Sequence, residues 1–210
     1  MSNNQTERCC TTSCNQPLGK NYWNDQYIEN STGWDLGEVS PPIKEYIDQL
    51  TNKNLRILIP GCGNTHEADY LLAQQFTNIT VIDIAPALVE KLKDKYISNP
   101  HINIILGDFF EHEGAYDLII EQTFFCAISP TLRKKYVAKM KALLAPNGKL
   151  IGLLFDRTFE QEGPPFGGSK SEYISLFENN FNLKYFDKCY NSFIKRKDNE
   201  LFISLVKKQE

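Results

Sequence analysis

The fold of this chain is decided by the stretch Leu55-Arg56-Ile57-Leu58-Ile59-Pro60-Gly61-Cys62-Gly63. Its apolar run predicts a buried strand, and the Gly-x-Gly predicts a turn where a ligand can lie against bare backbone. A second apolar run, residues 79–83, ends in the carboxylate of Asp83. Because ligands of open α/β sheets bind beyond the carboxyl ends of the strands, we expect Gly61, Gly63 and Asp83 to face one crevice. The pattern predicts a site for a nucleoside cofactor, although a lone Gly-x-Gly also fits an ordinary tight turn.

The residues after the glycines argue against two common nucleotide sites. A dinucleotide fingerprint reads Gly-x-Gly-x-x-Gly, and His66 occupies its last position here. No Gly-Lys-Ser/Thr follows that would form a phosphate-binding P-loop. Without a phosphate cradle, the pattern favours a nucleoside whose other end is an amino acid. S-adenosylmethionine fits that description, whereas a nicotinamide cofactor does not.

Length and charge exclude several classes of protein. A chain of 210 residues and 24.1 kDa suits one domain with a full core. The net charge of −3 and the pI near 5.7 argue against a protein that holds nucleic acid by neutralising phosphates. No apolar run is long enough for a membrane span, and residues 1–20 are polar. We therefore expect a cytoplasmic protein without membrane or nucleic-acid partners, as a monomer or weak homo-oligomer.

The six cysteines are expected to be reduced thiols, because no secretory signal precedes them and Cys62, Cys126 and Cys189 are scattered. Only Cys9, Cys10 and Cys14 cluster. These three could ligate a metal, but no Cys-x-x-Cys pair or neighbouring histidine completes a tetrahedral set. Residues 1–20 are rich in Asn, Thr, Ser and Gln, which favours a disordered tail without a metal.

Aromatic residues mark the start of the folded domain, residues 21–210. Residues 21–29 predict a short helix with Trp23 and Tyr27 on one face, and Trp34 follows between two glycines. We term residues 21–50 the cover, because they precede a core over residues 51–210. The aromatic residues either staple the cover to the core or form a lid whose ring faces stabilise a sulfonium cation by up to ~2 kcal/mol.

Acidic side chains follow successive predicted strands. Residues 102–106 run into Gly107 and Asp108, and residues 116–121 end at Glu121. Asp83 could accept hydrogen bonds from ribose hydroxyls or cap the following helix, and Asp108 could accept an adenine amino group or close a turn. Phe109 could cover the adenine ring. Because several strands rather than one end in Gly, Asp or Glu, we favour a shared site.

The rest of the chain predicts alternating helices and strands. Residues 64–67 resemble a capping box, in which His66 receives no further role, and residues 130–144 form an amphipathic helix. Residues 145–148 predict a turn into a fifth strand over residues 149–155. Ser169 and Glu172 then predict a second capping box. Two final strands, residues 182–190 and 200–206, flank a basic turn, residues 195–197, that we expect to be a solvated hairpin.

Several of these segments together resemble class I S-adenosylmethionine-dependent methyltransferases over nearly the whole chain. The matching residues are 59–63, 83–84, 107–109 and 143–148. More narrowly, Trp23 and residues 33–35, 124–128 and 163–166 are similar to the thiopurine methyltransferase family, in particular its halide and thiol methyltransferase branch. The resemblance implies an α/β, Rossmann-like domain with helices on both faces of a mostly parallel sheet. It also implies seven strands in the order 3-2-1-4-5-7-6, the last antiparallel, under an N-terminal helical cover.

The resemblance also implies roles for individual residues. Contacts to the cofactor are implied for Trp23, Tyr27, Trp34, Gly61, Gly63, Asp83, Ile84, Asp108, Phe109, Glu121 and Gln122. Of these, Gly61 would hold the methionine end, Asp83 the ribose, Asp108 and Phe109 the adenine, and Glu121 and Gln122 the region of the sulfonium. The chain departs from the branch at Tyr27, where tryptophan is usual. It departs again at Gln122, where the branch carries an aromatic residue and the thiopurine enzymes an arginine, so the acceptor stays open.

The acceptor side of the sequence favours a nucleophile that needs no base. None of the three histidines lies near the predicted acceptor loops, and no Asp-Pro-Pro-Tyr follows the fourth strand to handle an amine. We expect Phe124, Phe125 and Phe166, with Gln122, to line a pocket that desolvates a thiol, bisulfide, thiocyanate or halide. Methylation of a thiopurine or a metalloid oxyanion is the alternative. A protein that binds the cofactor without catalysis is the alternative from another class.

Overall fold

The computed structural model describes residues 18–209. The predicted tail falls mostly outside this range, as do Cys9, Cys10 and Cys14. Residues 18–20, which we assigned to the tail, belong instead to the folded part, because Lys20 begins the first helix. In the described part of the chain, no helix is long and apolar enough to cross a membrane.

Helices and strands alternate along most of the described chain. The helices are α1 Lys20–Ile28, α2 Pro41–Asp48, α3 His66–Ala73, α4 Pro86–Lys95, α5 Arg133–Leu143 and α6 Lys170–Phe177. The strands are β1 Ile57–Pro60, β2 Ile79–Asp83, β3 Ile102–Leu106, β4 Tyr116–Gln122, β5 Leu144–Phe155, β6 Phe181–Lys188 and β7 Glu200–Lys207. Short 3-10 turns occupy Phe109–Glu111, Pro130–Leu132 and Ile194–Arg196.

The strands form one seven-stranded sheet in the order β3-β2-β1-β4-β5-β7-β6, which confirms the predicted fold. β1 to β5 pair in parallel, whereas β7 runs antiparallel to both β5 and β6. Side chains of a strand alternate between the two faces. Leu58 and Ile119 accordingly pack with α5 and α6, whereas Ile57 and Ile120 pack with α2, α3 and α4. The helices therefore cover both faces, as predicted.

Local structure departs from the sequence prediction at two turns. The capping box at residues 64–67 does not form, because Thr65 has φ 53° and its side chain caps nothing. Residues 145–148 are not a separate turn, because β5 already begins at Leu144 and the register with β4 shifts there. The Ser169 cap is confirmed, since its Oγ accepts the N–H of Glu172 at 3.3 Å.

Candidate active site

A cavity of about 1060 Å³ lies at the carboxyl ends of the parallel strands. The cover closes one side of it, and the loops after β1 to β5 and the turn before β7 supply the rest. The structure brings most of the predicted site residues to this cavity, namely Trp23, Tyr27, Trp34, Gly61, Asp83, Ile84, Asp108, Phe109, Phe124 and Phe166. Gly63, Glu121, Gln122 and Phe125 are not among the lining residues.

The glycine turn after β1 requires its glycines. Gly61 has φ +54°, and a Cβ at this position would overlap the ring of Phe124. Gly63 has φ +52°, and a Cβ there would lie 3.3 Å from the hydroxyl of Tyr27. Because side chains disfavour this left-handed conformation, only glycine leaves the backbone open here. The bare backbone beside the cavity fits the amino-acid end of S-adenosylmethionine.

Asp83 is a buried carboxylate at the end of β2. Its Oδ2 accepts the N–H of Gly63 at 3.2 Å, and its Oδ1 accepts the N–H of Ala85 at 3.0 Å. Burial raises the pKa of Asp83, and the backbone donors oppose that rise. Its side chain does not cap α4, whose N-cap is Ala85 without a side-chain hydrogen bond. Each oxygen keeps a lone pair, so the group fits the hydroxyls of a ribose.

Asp108 closes a turn and also lines the cavity, so the two roles that the sequence left open for it are compatible. Its Oδ1 accepts the N–H of Phe110 at 2.8 Å, which closes the turn. Phe109 packs edge-on against Phe124 at 5.1 Å between ring centroids, within the core, and presents part of its ring to the cavity. The turn holds both residues where an adenine could meet them.

The aromatic residues of the cover contact one another, and a hydrogen bond joins the cover to the core. Trp34 meets Trp23 and Tyr27 edge to face, at 5.5 and 5.9 Å between ring centroids. In α1, Asn24 Oδ1 accepts the N–H of Ala87 at 2.8 Å, at the start of α4. Burial, followed by the nearby Asp83 carboxylate, raises the pKa of Tyr27, so its hydroxyl stays protonated and able to donate.

Asp35 fixes the loop of the cover to the start of α3. It accepts hydrogen bonds from Asn64 Nδ2 and from the N–H of Gly37, the latter at 2.7 Å, and lies 2.7 Å from His66 Nε2. Burial alone would raise the pKa of Asp35, but these partners hold it below its usual range. His66, which the sequence analysis left without a role, therefore fastens the cover. Asp35 also lines the cavity, although the sequence analysis gave it no role beyond its place in the family-like segment of residues 33–35.

Glu121 holds the loop after β4 instead of facing the cavity. Its Oε1 accepts the N–H groups of Phe124 and Phe125 at 2.7 and 2.9 Å, and its Oε2 accepts the hydroxyl of Tyr136. The side chain is fully buried, and this burial raises the pKa of Glu121 to about 7. Its carboxylate thus fixes the backbone that carries Phe124 beside Gly61.

Two other residues lie elsewhere than the sequence suggested. Phe125, expected in the acceptor pocket, is 1% exposed and packs against Tyr136 and Tyr173 in the core. Gln122 Oε1 accepts the hydroxyl of Ser40 at 3.2 Å, on the face of the sheet away from Glu121. Its Nε2 is buried without a partner among residues 18–209. Neighbouring residues of β4 point to opposite faces, so Glu121 and Gln122 could not both face one ligand.

The basic turn before β7 is not the solvated hairpin that we expected. Arg196 is only 8% exposed, and its Nη2 donates to the carbonyl of Trp34 at 2.6 Å. Its Nη1 lies 3.4 Å from Glu200 Oε1, which is also buried. Arg196 and Lys195 line the cavity together with Arg157, which follows β5. The sequence feature that could have indicated this ion pair is Glu200, four residues after Arg196.

Comparisons with known proteins place this geometry in a family. A solved structure of 1,6-didemethyltoxoflavin-N1-methyltransferase from Burkholderia thailandensis, with bound S-adenosylhomocysteine, superposes with a TM-score of 0.74. The two share 15% identity over 90% of this chain and 87% of that one. The family model for thiopurine S-methyltransferase matches residues 18–209. The chain belongs to this family. It is therefore a methyltransferase that uses S-adenosylmethionine, as the sequence predicted.

Within the family, two plant relatives are similar to this chain. A probable thiol methyltransferase 2 from Arabidopsis thaliana is 34% identical over 156 residues, which are 72% of this chain and 69% of that protein. A thiocyanate methyltransferase 1 from Brassica oleracea is 31% identical with the same coverage of both chains. Family membership and the cradle formed by Gly61, Asp83 and Asp108 agree on the cofactor.

Proposed function

We propose that this chain transfers the methyl group of S-adenosylmethionine to a small soft nucleophile, namely a thiol, bisulfide, thiocyanate or halide. The observation that carries this proposal is the separation of charge across the cavity. Asp83 ends β2 and Asp108 follows β3, both in one half of the sheet. In the other half, Arg157 follows β5, and Lys195 and Arg196 precede β7. The acidic half suits the hydroxyl and amino groups of a nucleoside. The basic half, which we term the acceptor side, suits an anion.

The acidic half and the cover have residues suited to each part of the cofactor. Asp83 would accept the ribose hydroxyls, Asp108 the adenine amino group, and the backbone at Gly61 would meet the amino-acid end. The rings of Trp23 and Trp34 would lie near the positive sulfur, where aromatic faces contribute up to ~2 kcal/mol when water is excluded. When bound, S-adenosylmethionine supplies a methyl group activated by a positively charged sulfur.

Among the described residues, the acceptor side has no histidine or carboxylate that could serve as a base, which supports an acceptor that attacks as an anion. Among the described residues that line the cavity as a whole there is no histidine. Cys126 lines it, but burial raises the pKa of this thiol to about 12 and its Sγ donates to the carbonyl of Thr123 at 3.0 Å. A thiolate that has lost its proton to water forms a bond to the methyl carbon while the sulfonium carbon–sulfur bond breaks. The electron pair of that bond stays on the departing sulfur, and the chain contributes approximation and desolvation.

The names of the plant relatives support sulfur acceptors, since they are thiol and thiocyanate methyltransferases. A second candidate is a thiopurine or a metalloid oxyanion, because a more distant bacterial relative from Photobacterium profundum, 24% identical, is a thiopurine S-methyltransferase. We also propose that the protein is cytoplasmic and a monomer or weak homo-oligomer, on its composition alone.

An acceptor screen tests the proposal. Purified protein with S-adenosylmethionine is incubated with bisulfide, thiocyanate, iodide and aryl thiols, and with amines and alcohols as controls. S-adenosylhomocysteine is quantified by chromatography and the methylated product by mass spectrometry. We expect product from at least one sulfur or halide acceptor and none from the controls. Turnover only of amines or alcohols would contradict the proposal, and cofactor binding without any product would favour the non-catalytic alternative.

A further inference from the structure

Two of the three cations on the acceptor side lack a carboxylate partner. Arg196 is bonded to Trp34 and Glu200 and is therefore a structural group. Arg157 and Lys195 have no acidic group within ion-pair distance among residues 18–209, and both line the cavity. The guanidinium of Arg157 lies over the ring of Phe159, 4.7 Å from its centroid. Unpaired cations that face a cavity attract an anionic ligand.

The carboxylates nearest to these cations in the sequence do not enter the cavity. Asp156 precedes Arg157, but its Oδ1 accepts the N–H of Lys170 at 3.0 Å and its Oδ2 lies 3.6 Å from Lys188 Nζ. Glu160 and Glu162 follow in the same loop, and Asp198 follows Lys195. All three are exposed and are not among the lining residues. The positive charge of Arg157 and Lys195 therefore stays available to a bound molecule.

The two cations lie at different positions along the sheet, because Arg157 follows β5, the neighbour of β4, whereas Lys195 lies in the turn before β7. The glycine turn follows β1, and Phe124 follows the adjacent β4. Lys195 precedes β7, which lies two strands beyond β4. Neighbouring strands are ~4.8 Å apart, so the two regions are on the order of 10 Å apart. A molecule that spans from the glycine turn to the turn before β7 is therefore longer than a bisulfide or halide ion.

Aromatic rings occupy the region between the two ends of the acceptor side. The rings that line it are Phe124, Phe155, Phe159, Phe166 and Phe193. Such walls suit an apolar body rather than a second polar group. A molecule that uses the whole acceptor side therefore has a sulfur at one end, an apolar middle and an anionic group at the other end.

We propose that the preferred acceptor is an organic thiol that carries a carboxylate away from its sulfur, and that Arg157 and Lys195 bind this carboxylate. The inference rests on the proposed function and narrows its acceptor class. Arg157 and Lys195 then determine specificity without acting on the reacting atoms. Carboxylate is the chemistry that a guanidinium and an ammonium together bind well.

The test compares 4-mercaptobenzoate with its methyl ester, which has the same body but no carboxylate charge. Wild-type protein is expected to show a kcat/KM for the acid about tenfold above that for the ester, since hydrogen bonds to charged groups contribute at least that factor. The double variant Arg157→Gln, Lys195→Gln is expected to lose this preference. Arg157→Lys keeps the charge and most of the preference. Lys197→Gln, in the same turn but outside the cavity, is the matched control and should leave it unchanged.

A binding measurement supplies a readout that does not depend on turnover. Calorimetry follows 4-(methylsulfanyl)benzoate binding to protein saturated with S-adenosylhomocysteine, and we expect the Kd to rise about tenfold in the double variant only. Equal use of acid and ester by wild-type protein, or a preference that survives in the double variant, would overturn this inference and leave the proposed function intact. Failure of both thiols, bisulfide and thiocyanate to be methylated would overturn both.

Discussion

The buried carboxyl group of Glu121 makes the stability of this protein depend on pH in a defined direction. Burial raises the pKa of Glu121 from an ordinary 4.5 to about 7. The folded chain therefore binds this proton more tightly than the unfolded chain does. Between pH 4.5 and 7 the folded state holds the additional proton, so the free energy of unfolding falls as the pH rises. The stabilisation is complete below that window and is lost above it.

The size of the effect follows from the same shift. At about 1.4 kcal/mol for each pH unit, a rise from 4.5 to about 7 corresponds to about 3 kcal/mol. The variant Glu121→Gln removes the titration and keeps the contacts. Its Oε1 can accept both backbone N–H groups, and its Nε2 can donate to the hydroxyl of Tyr136. As the pH rises from 4.5 to 8, we expect the free energy of unfolding of this variant to increase by about 3 kcal/mol relative to that of wild type. This corresponds to about 6–12 °C in Tm.

Urea denaturation from pH 4.5 to 8, followed by circular dichroism, measures this difference. Other buried acids such as Asp83 and Glu200 also have raised pKa values, so wild type alone would not isolate Glu121. The difference between wild type and Glu121→Gln removes their contribution. Glu90→Gln, on the exposed side of α4, is the control and should leave the pH dependence unchanged. A difference that stays flat across this range would refute the assignment of the titration to Glu121.

Four further predictions concern the cofactor half of the cavity and the cover. Asp83→Asn should weaken S-adenosylhomocysteine binding by about tenfold in calorimetry, because an amide offers one acceptor oxygen instead of two. Gly61→Ala should lower the free energy of unfolding by at least ~1–2 kcal/mol in urea, since alanine disfavours φ +54°. Asp35→Ala should speed limited proteolysis of the cover relative to the exposed control Asp25→Ala, and equal rates would contradict the role of Asp35. S-adenosylhomocysteine should quench the fluorescence of Trp23 and Trp34, and Trp34→Phe should remove the part that Trp34 contributes, whereas no quenching in wild type would place the ligand away from the cover.

The strands could be predicted from the sequence because local pattern determines them, whereas their order was implied by the resemblance to class I methyltransferases. The apolar runs at residues 79–83 and 102–106 coincide with β2 and β3. Glycine or a carboxylate at the end of each run marked the edge of the sheet that carries the cavity. These signals depend on neighbours in the chain, so tertiary contacts did not alter them.

The misassigned residues were those whose environment comes from distant parts of the chain. Phe124 and Phe125 have the same chemistry, yet Phe124 lines the cavity whereas Phe125 packs against Tyr136 and Tyr173 in the core. Arg196 read as a solvated charge because its partner, the carbonyl of Trp34, lies 162 residues earlier. The side chain of Asn64, which the predicted capping box would have used, donates instead to Asp35, 29 residues earlier. No periodicity within the sequence reports such long-range contacts.

The position of β7 has a consequence for synthesis of the protein on the ribosome. β7 is the last strand in the described chain, yet it lies between β5 and β6. A nascent chain that has not yet released residues 200–207 can pair β1 to β5, which carry the glycine turn and Asp83. The free edge of β5 then lacks its neighbouring strand, and Arg196 lacks the carboxylate of Glu200. The nucleoside half of the enzyme can thus form during translation, whereas the half that selects the acceptor is completed only after β7 has emerged.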